Sequence, residues 1–239
     1  DGFDIADRVE MLLSSDTPEG IAKSMGIGTM GFAQAYSRCR PDILLVLGDR
    51  FEMHSAAVAA LPFNIPVAHI HGGEITEGAM DDALRHSMTK LSHLHFVATQ
   101  EYRDRVLQMG EEPWRVIVSG APSLDNLRSM VLLQPHELAA KYGLNLDPPP
   151  LMVTFHPVTL EYESTEWHVE ELLAALDASQ LPVVITQPNA DTGGRLAAEM
   201  MRDYADNHAN AQMIDNLGTT GYFSLMASAA AMVGNSSSG

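Results

Sequence analysis

Seven short apolar runs punctuate the chain: DILLVLG (42–48), IPVAHI (65–70), LHFVAT (94–99), RVIVSG (115–120), PLMVTF (150–155), LPVVIT (181–186) and AAAMVG (229–234). They are rich in Val, Ile and Leu and do not alternate apolar with polar, the pattern of parallel strands covered on both faces. Between them apolar residues recur with helical period, which predicts helices near 17–39, 52–62, 81–92, 100–109, 165–178, 193–206 and 221–230. Right-handed crossovers would wind this repeated βα pattern into an α/β fold with doubly wound parallel sheets.

The rhythm breaks once, after RVIVSGAPSLDNL, in a stretch without a clear strand that ends in LNLDPPP (144–150). Consecutive prolines cannot continue a helix and favour extended chain. The expected organisation is therefore a first lobe over 1–130, a linker over 131–150 and a second lobe over 151–239. Two such lobes would take a ligand in the cleft between their strand C-termini. The chain opens without a first βα unit and stops in VGNSSSG (233–239), so both ends are expected to be incomplete.

With 46% hydrophobic residues in 239, the chain can bury a substantial core. Its 31 acidic against 14 basic side chains give a net charge of −17, which works against nucleic acid and anionic membranes as partners. A few arginines and helix N-termini can still bind a small anion locally. The single cysteine, Cys39, excludes an intramolecular disulfide, fits a reducing cytoplasm and reads as a buried small hydrophobe. No apolar run approaches the roughly twenty residues of a membrane span, and the opening residues have no signal-peptide pattern.

Candidate chemistry clusters at the predicted strand ends. In VLGDRFEMHSAA (46–57), Asp49 and Arg50 follow a buried strand, where open α/β sheets place ligands. The plainer alternative is that Asp49 caps the next helix and Arg50 pairs with Glu52. AHIHGGEITEGAMDDALRH (68–86) is denser. Alternation would put His69 and His71 on one side of a strand, and Gly72–Gly73 lets the chain turn sharply. Glu74 and Glu77 occupy the loop, and Asp81 and Arg85, four apart, share a helix face. Favourable placement of Asp81 and Asp82 at a helix N-terminus explains the acidic pair equally well.

The histidines raise the question of a metal, but there is neither an H-E-x-x-H motif nor a cysteine cluster, and no metal site is expected. LSHLHF (91–96) reads as hydrogen-bonded structural histidines. In the second half His156 of TFHPVT, Asn189 of TQPNADTGG, and Ser236 and Ser237 of GNSSSG stand at further strand ends. Simple turn chemistry accounts for each loop separately. The serine loop, with its hydroxyls and backbone amides, suits a diphosphate without being a lysine-containing P-loop or a G-x-G-x-x-G turn.

Taken in order, VLGDRFEM, HIHGGEITEGAMDDALRHSMTKLSHLHF, SGAPSLDNL, FHPVTLE, PNADTGG and GNSSSG resemble the hydrolysing UDP-N-acetylglucosamine 2-epimerases of bacterial sialic-acid and legionaminic-acid pathways. The resemblance implies two Rossmann-like lobes in the glycosyltransferase-B arrangement, a UDP-sugar substrate and a homodimer or homotetramer. It implies no nicotinamide, no other cofactor and no essential metal. The implied reaction eliminates UDP to give a 2-acetamidoglucal, then adds water to release N-acetylmannosamine. UDP-N,N′-diacetylbacillosamine is the alternative substrate, and a non-catalytic UDP-sugar-binding fragment is the competing class. A glycosyltransferase on the same architecture would not carry the HGGE and DDALR pair.

By motif match Asp49, His71, Asp81, Arg85 and His156 fall on catalytic positions. Arg50, Glu74, Asn189, Ser236 and Ser237 fall on positions contacting substrate or nucleotide. His71 stands where the wider epimerase family has a glutamate. A GTRADYG-like loop expected near the family's N-terminus does not occur in the sequence.

Overall fold

A computed structural model describes residues 4–188 and 193–236. The chain divides into two compact units, Asp1–Asp125 and Asn126–Gly239, each built on a four-stranded, all-parallel sheet. The α/β class and both parallel sheets agree with the apolar-run pattern.

In the first unit the order is α1 (Pro18–Cys39), β1 (Leu44–Leu47), α2 (Phe51–Ala60), β2 (Val67–Ile70), α3 (Asp81–Leu91), β3 (Leu94–Val97), α4 (Gln100–Gln108) and β4 (Val116–Val118). The Thr17 hydroxyl accepts from the Gly20 amide at 3.1 Å and Pro18 opens α1, a start signal that satisfies an otherwise orphaned N–H. The strands lie in chain order, β1-β2-β3-β4. Val46, His69, His95 and Val116 align across them and share one face. That face is sealed: the four are between 0% and 4% exposed. Val46 and Val67 pack with Ala57 and Ala60 of α2 and Met88 of α3, and Val97 and Val116 with Val106 of α4.

The opposite face is open at both edges, with Leu45 60%, Leu47 52% and Ile117 45% exposed. Covering on both faces therefore does not hold for β1 and β4 among the described residues. The cause is topological, because strands added in one direction through same-handed crossovers send every crossover helix to the same side.

The second unit contains α6 (Pro135–Tyr142), β5 (Leu151–Thr154), α7 (Thr165–Ser179), β6 (Val183–Thr186), α8 (Gly194–Asn207), β7 (Ala211–Ile214), α9 (Gly218–Ser228) and β8 (Ala231–Gly234), while α5 (Pro122–Ser129) crosses the division. The strand order is β7-β6-β5-β8, so the chain adds two strands on one side of β5 and then returns to its other side. That reversal distributes helices to both faces. Val153, Val183 and Ile185 pack with Val169 and Leu176 of α7 and Ala197 and Met201 of α8. Met152 and Val184 pack with Leu138 of α6 and Leu225 of α9.

Three expectations are corrected. The segment 131–150 is not a plain linker: it carries α6, and Leu138 and Leu144 are buried in the second unit's core. Its signals were local ones, the Glu137 carboxylate accepting from the Gln134 amide at 2.8 Å and Gly143 ending the helix at φ 67°. β7 was also not anticipated. AQMI is an edge strand with only Ala211 buried, and Gln212 spends its amide on Asn145 N and Gly143 O, so no apolar run marks it. Cys39 is exposed, because it ends α1 beyond Tyr36, the last buried residue of that helix.

Among the described residues no helix is long and apolar enough to cross a membrane.

Candidate active site

At the tip of β1, Gly48 takes φ 73° and donates its amide to the Ile70 carbonyl at 2.9 Å, turning the chain so that Asp49 leaves the sheet. Asp49 does not cap α2. Arg50 occupies the cap position without a side-chain cap bond, pairs with Glu52 at 3.4 Å and lies over the Phe51 ring at 5.3 Å. The simple pairing read for Arg50 is thus present. Asp49 instead accepts from Nη2 of Arg85, which is only 4% exposed.

Arg85 Nη2 also donates to Thr76 Oγ1 at 2.9 Å, while its Nε and Nη1 are buried without a hydrogen-bond partner. The guanidinium is thus a buried positive charge held between two carboxylates, Asp49 on Nη2 and Asp82, whose Oδ1 lies 3.9 Å from Nη1. Asp82 accepts from the Thr76 amide at 3.2 Å and lies 3.7 Å from His86 Nε2, so it holds the 74–80 loop. Asp81, its half-buried neighbour, opens α3.

The alternation that would place His69 and His71 on one side is cut short, because β2 ends at Ile70. His71 adopts φ 65° and brings Nδ1 to 2.6 Å from Glu74 Oε1. That hydrogen bond raises the pKa of His71; burial opposes the rise, the Glu74 and Asp49 charges support it and Arg85 opposes it. His69 stays under α3, wholly buried. Gly73, at φ 81°, is required by close packing: a Cβ there would lie 2.4 Å from the Tyr102 carbonyl oxygen. In LSHLHF, His93 Nδ1 accepts from the Val67 amide at 3.2 Å and His95 Nε2 lies 3.2 Å from Glu111, the structural roles expected.

In the second unit the reversal of strand order falls between β5 and β8, the position at which doubly wound sheets open a ligand crevice. His156 follows β5 and Asn235 follows β8. The Asn235 side chain accepts from the His156 amide at 2.8 Å and donates to its carbonyl at 2.7 Å, clamping the two loops together. Beside them is a cavity of about 520 Å³ lined by His156, Ser236, Thr186, Asp215, Asn216 and Tyr222 among others. Its volume lies within the range of small-ligand sites.

The structure thus brings Asp49, Arg85, His71 and Glu74 to neighbouring strand tips, and His156 and Ser236 to one cavity. Asn189 and Ser237 lie outside the described residues. Asp215, Asn216 and Tyr222 were missed because they follow β7 or begin α9, and without β7 the segment carried no strand-end signal. Asn235 stood in the quoted GNSSSG motif, but its clamp on His156, 79 residues away, has no sequence signature. Among the described residues no group of three His, Cys, Asp or Glu side chains could hold a metal ion.

An α/β architecture with polar strand tips and a cavity at a topological switch point places the second unit in the Rossmann-like class of parallel-sheet folds. The model of the UDP-N-acetylglucosamine 2-epimerase family matches residues 1–239, and the chain belongs to that family. It is 39% identical over 239 residues to the GDP/UDP-N,N′-diacetylbacillosamine 2-epimerase (hydrolyzing) of Campylobacter jejuni, covering 99% of this chain and 62% of that protein. It is 36% identical to the UDP-N,N′-diacetylbacillosamine 2-epimerase (hydrolyzing) of Legionella pneumophila, covering 100% of this chain and 63% of that protein. The crystal structure of UDP-GlcNAc 2-epimerase from Neisseria meningitidis bound to UDP-GlcNAc superposes with a TM-score of 0.73 at 18% identity, over 95% of this chain and 62% of that one. The chain therefore spans a little over three fifths of the length of these relatives.

Proposed function

We propose that the intact protein is a hydrolysing 2-epimerase of a UDP-linked 2-acetamido sugar. The observation that carries this reading is the buried Arg85 holding Asp49 at the tip of β1, with the His71–Glu74 pair at the next strand tip. A site of this kind offers several titratable groups at one sheet edge and a fixed positive charge among them. Proton abstraction from a weakly acidic carbon needs a positioned base, and departure of a diphosphate needs positive charge or N–H donors where negative charge develops.

In the first step a base removes the C2 proton, the C–H electron pair becomes the C1=C2 bond, and the C1–O bond breaks with its electrons leaving on UDP. In the second, water adds: its oxygen bonds to C1 and a proton returns to C2 on the opposite face. The sum is UDP-sugar plus water to UDP plus the 2-epimeric free sugar. Asp49, His71, Asp81 and His156 form the proton-transfer set, with Arg85 as the fixed positive charge. Arg50 and Glu74 contact the substrate, and Asn189, Ser236 and Ser237 the nucleotide. The cavity beside His156 and Ser236 supports the nucleotide assignment.

UDP-N-acetylglucosamine is the substrate read from the sequence. The names and full-chain match of the Campylobacter and Legionella relatives favour UDP-N,N′-diacetylbacillosamine. The resemblance extends the proposal to a cytoplasmic homodimer or homotetramer, which light scattering on the intact protein would test. To test the reaction, the intact protein is incubated with each UDP-sugar in deuterium oxide and followed by proton NMR. Free UDP with C2-deuterated, 2-epimeric free sugar is expected from at least one. Retention of the C2 hydrogen in the product, or a UDP-linked epimer, would overturn the reading.

A further inference from the structure

The imidazole of His69 lies wholly buried on the sealed face of the first sheet, beneath the Asp49–Arg85 pair. Its Nε2 lies 2.7 Å from the Gly48 carbonyl, and its Nδ1 lies 3.3 Å from the Thr89 hydroxyl. A carbonyl only accepts, so Nε2 carries the proton and donates. Gly48 is the left-handed residue whose turn presents Asp49, and Thr89 sits one turn of α3 beyond Arg85. Thr89 Oγ1 is also 3.1 Å from the Arg85 carbonyl, so its single hydroxyl proton serves one of the two acceptors. The ring is therefore bonded to the β1 tip through Gly48 and lies against α3 at Thr89, the same two elements that Asp49 and Arg85 join above it.

We infer that His69 is a positioning residue of the epimerase site, holding the Gly48–Asp49 turn in register with Arg85 through its Nε2–H bond to the Gly48 carbonyl. The inference rests on the proposed function for its kinetic consequence and on geometry alone for its structural one. Local packing agrees with a fixed ring. A Cβ on Gly72 would come within 3.1 Å of His69 Nδ1 and 3.2 Å of Thr89 Oγ1, so the glycine lets the following turn lie against the imidazole. Burial, opposed by the Gly48 bond and reinforced by the nearby His95, Arg85 and His71, pushes the ring's pKa down to about 4 and keeps it neutral near pH 7.

The chemistry of the bridge separates close analogues. Glutamine presents an amide N–H at the distance of Nε2 and can reach the Gly48 carbonyl. Asparagine is shorter, reaching only the level of Nδ1, and leaves that carbonyl without its donor. The test uses the intact protein with His69→Gln, His69→Asn and the wild type. Hydrogen exchange at the Gly48 amide, itself bonded to Ile70, is read beside kcat and KM on the UDP-sugar that the wild type turns over.

His69→Gln should keep exchange and kcat within about threefold of wild type. His69→Asn should exchange at least about tenfold faster at Gly48 and lose at least about tenfold in kcat, with KM nearly unchanged. In an Asp49→Asn background the further loss in kcat from His69→Asn should disappear, because the residue acts through Asp49. Equal behaviour of the Gln and Asn variants in exchange and kcat, or full additivity with Asp49→Asn, overturns the proposal. If the wild type turns over no UDP-sugar, the proposed function fails instead, and the exchange contrast between Gln and Asn still decides whether His69 holds the turn.

Discussion

The buried His69 makes acid stability calculable. The unfolded chain takes up this proton near the ordinary histidine value of 6.5, whereas the folded chain resists until about pH 4. Because the folded pKa is depressed, the stabilising contribution of the neutral ring is present above pH 6.5 and is lost as pH falls through 4. The interval between 6.5 and 4, at about 1.36 kcal/mol per pH unit, corresponds to about 3 kcal/mol, a large fraction of a domain's net stability. The perturbation is His69→Gln, which keeps a donor toward Gly48 and cannot titrate.

With the exposed Trp167 replaced by Phe, Trp114 remains as the single tryptophan and reports the first unit. Urea unfolding followed by its fluorescence gives stability at pH 7 and pH 4 for both proteins. Carboxylates and other histidines titrate in both, so the difference between the two pH dependences isolates His69. The protein with His69 should lose about 3 kcal/mol more than the His69→Gln protein over this range. Stability curves parallel to within about 1 kcal/mol would refute the buried, neutral assignment.

Replacing Asp49 by Asn in the intact protein should lower kcat by about a hundredfold or more on the accepted UDP-sugar, and a loss under about tenfold would remove Asp49 from the proton-transfer set. Gly234→Ala puts a Cβ 2.0 Å from the Thr154 carbonyl oxygen at φ 138°, so β8 must separate from β5. Calorimetry should show weaker UDP binding and melting should show a destabilisation of at least about 1–2 kcal/mol, whereas unchanged values would contradict the strand contact. Glu74→Gln should lower the His71 pKa observed by NMR. The wild-type pair's stabilisation is present below pH 6.5 and lost as pH rises through the raised His71 value, and an unchanged titration would show that Glu74 is not the partner.

Much of the fold was legible in the sequence because buried parallel strands need continuous apolar runs, and all seven runs contain observed strands. The turn at Gly72–Gly73, and the charges following the strand ends, were legible for similarly local reasons, whereas the left-handed turn at Gly48 came from the structure. The sequence order of motifs was sufficient to suggest the family. β7 escaped because an edge strand need bury little, and α6 because its prolines and polar caps resemble the punctuation of a linker.

Strand order was decided in three dimensions. Among the described residues the same βα repeat puts the packed helices on one face of the first sheet and on both faces of the second, according to whether the strand order continues or reverses. Asp49 reaches Arg85 across 36 residues, and Asn235 reaches His156 across 79. Each residue's chemistry is written locally, but its partner is fixed only when the parallel register brings distant strand ends to one edge.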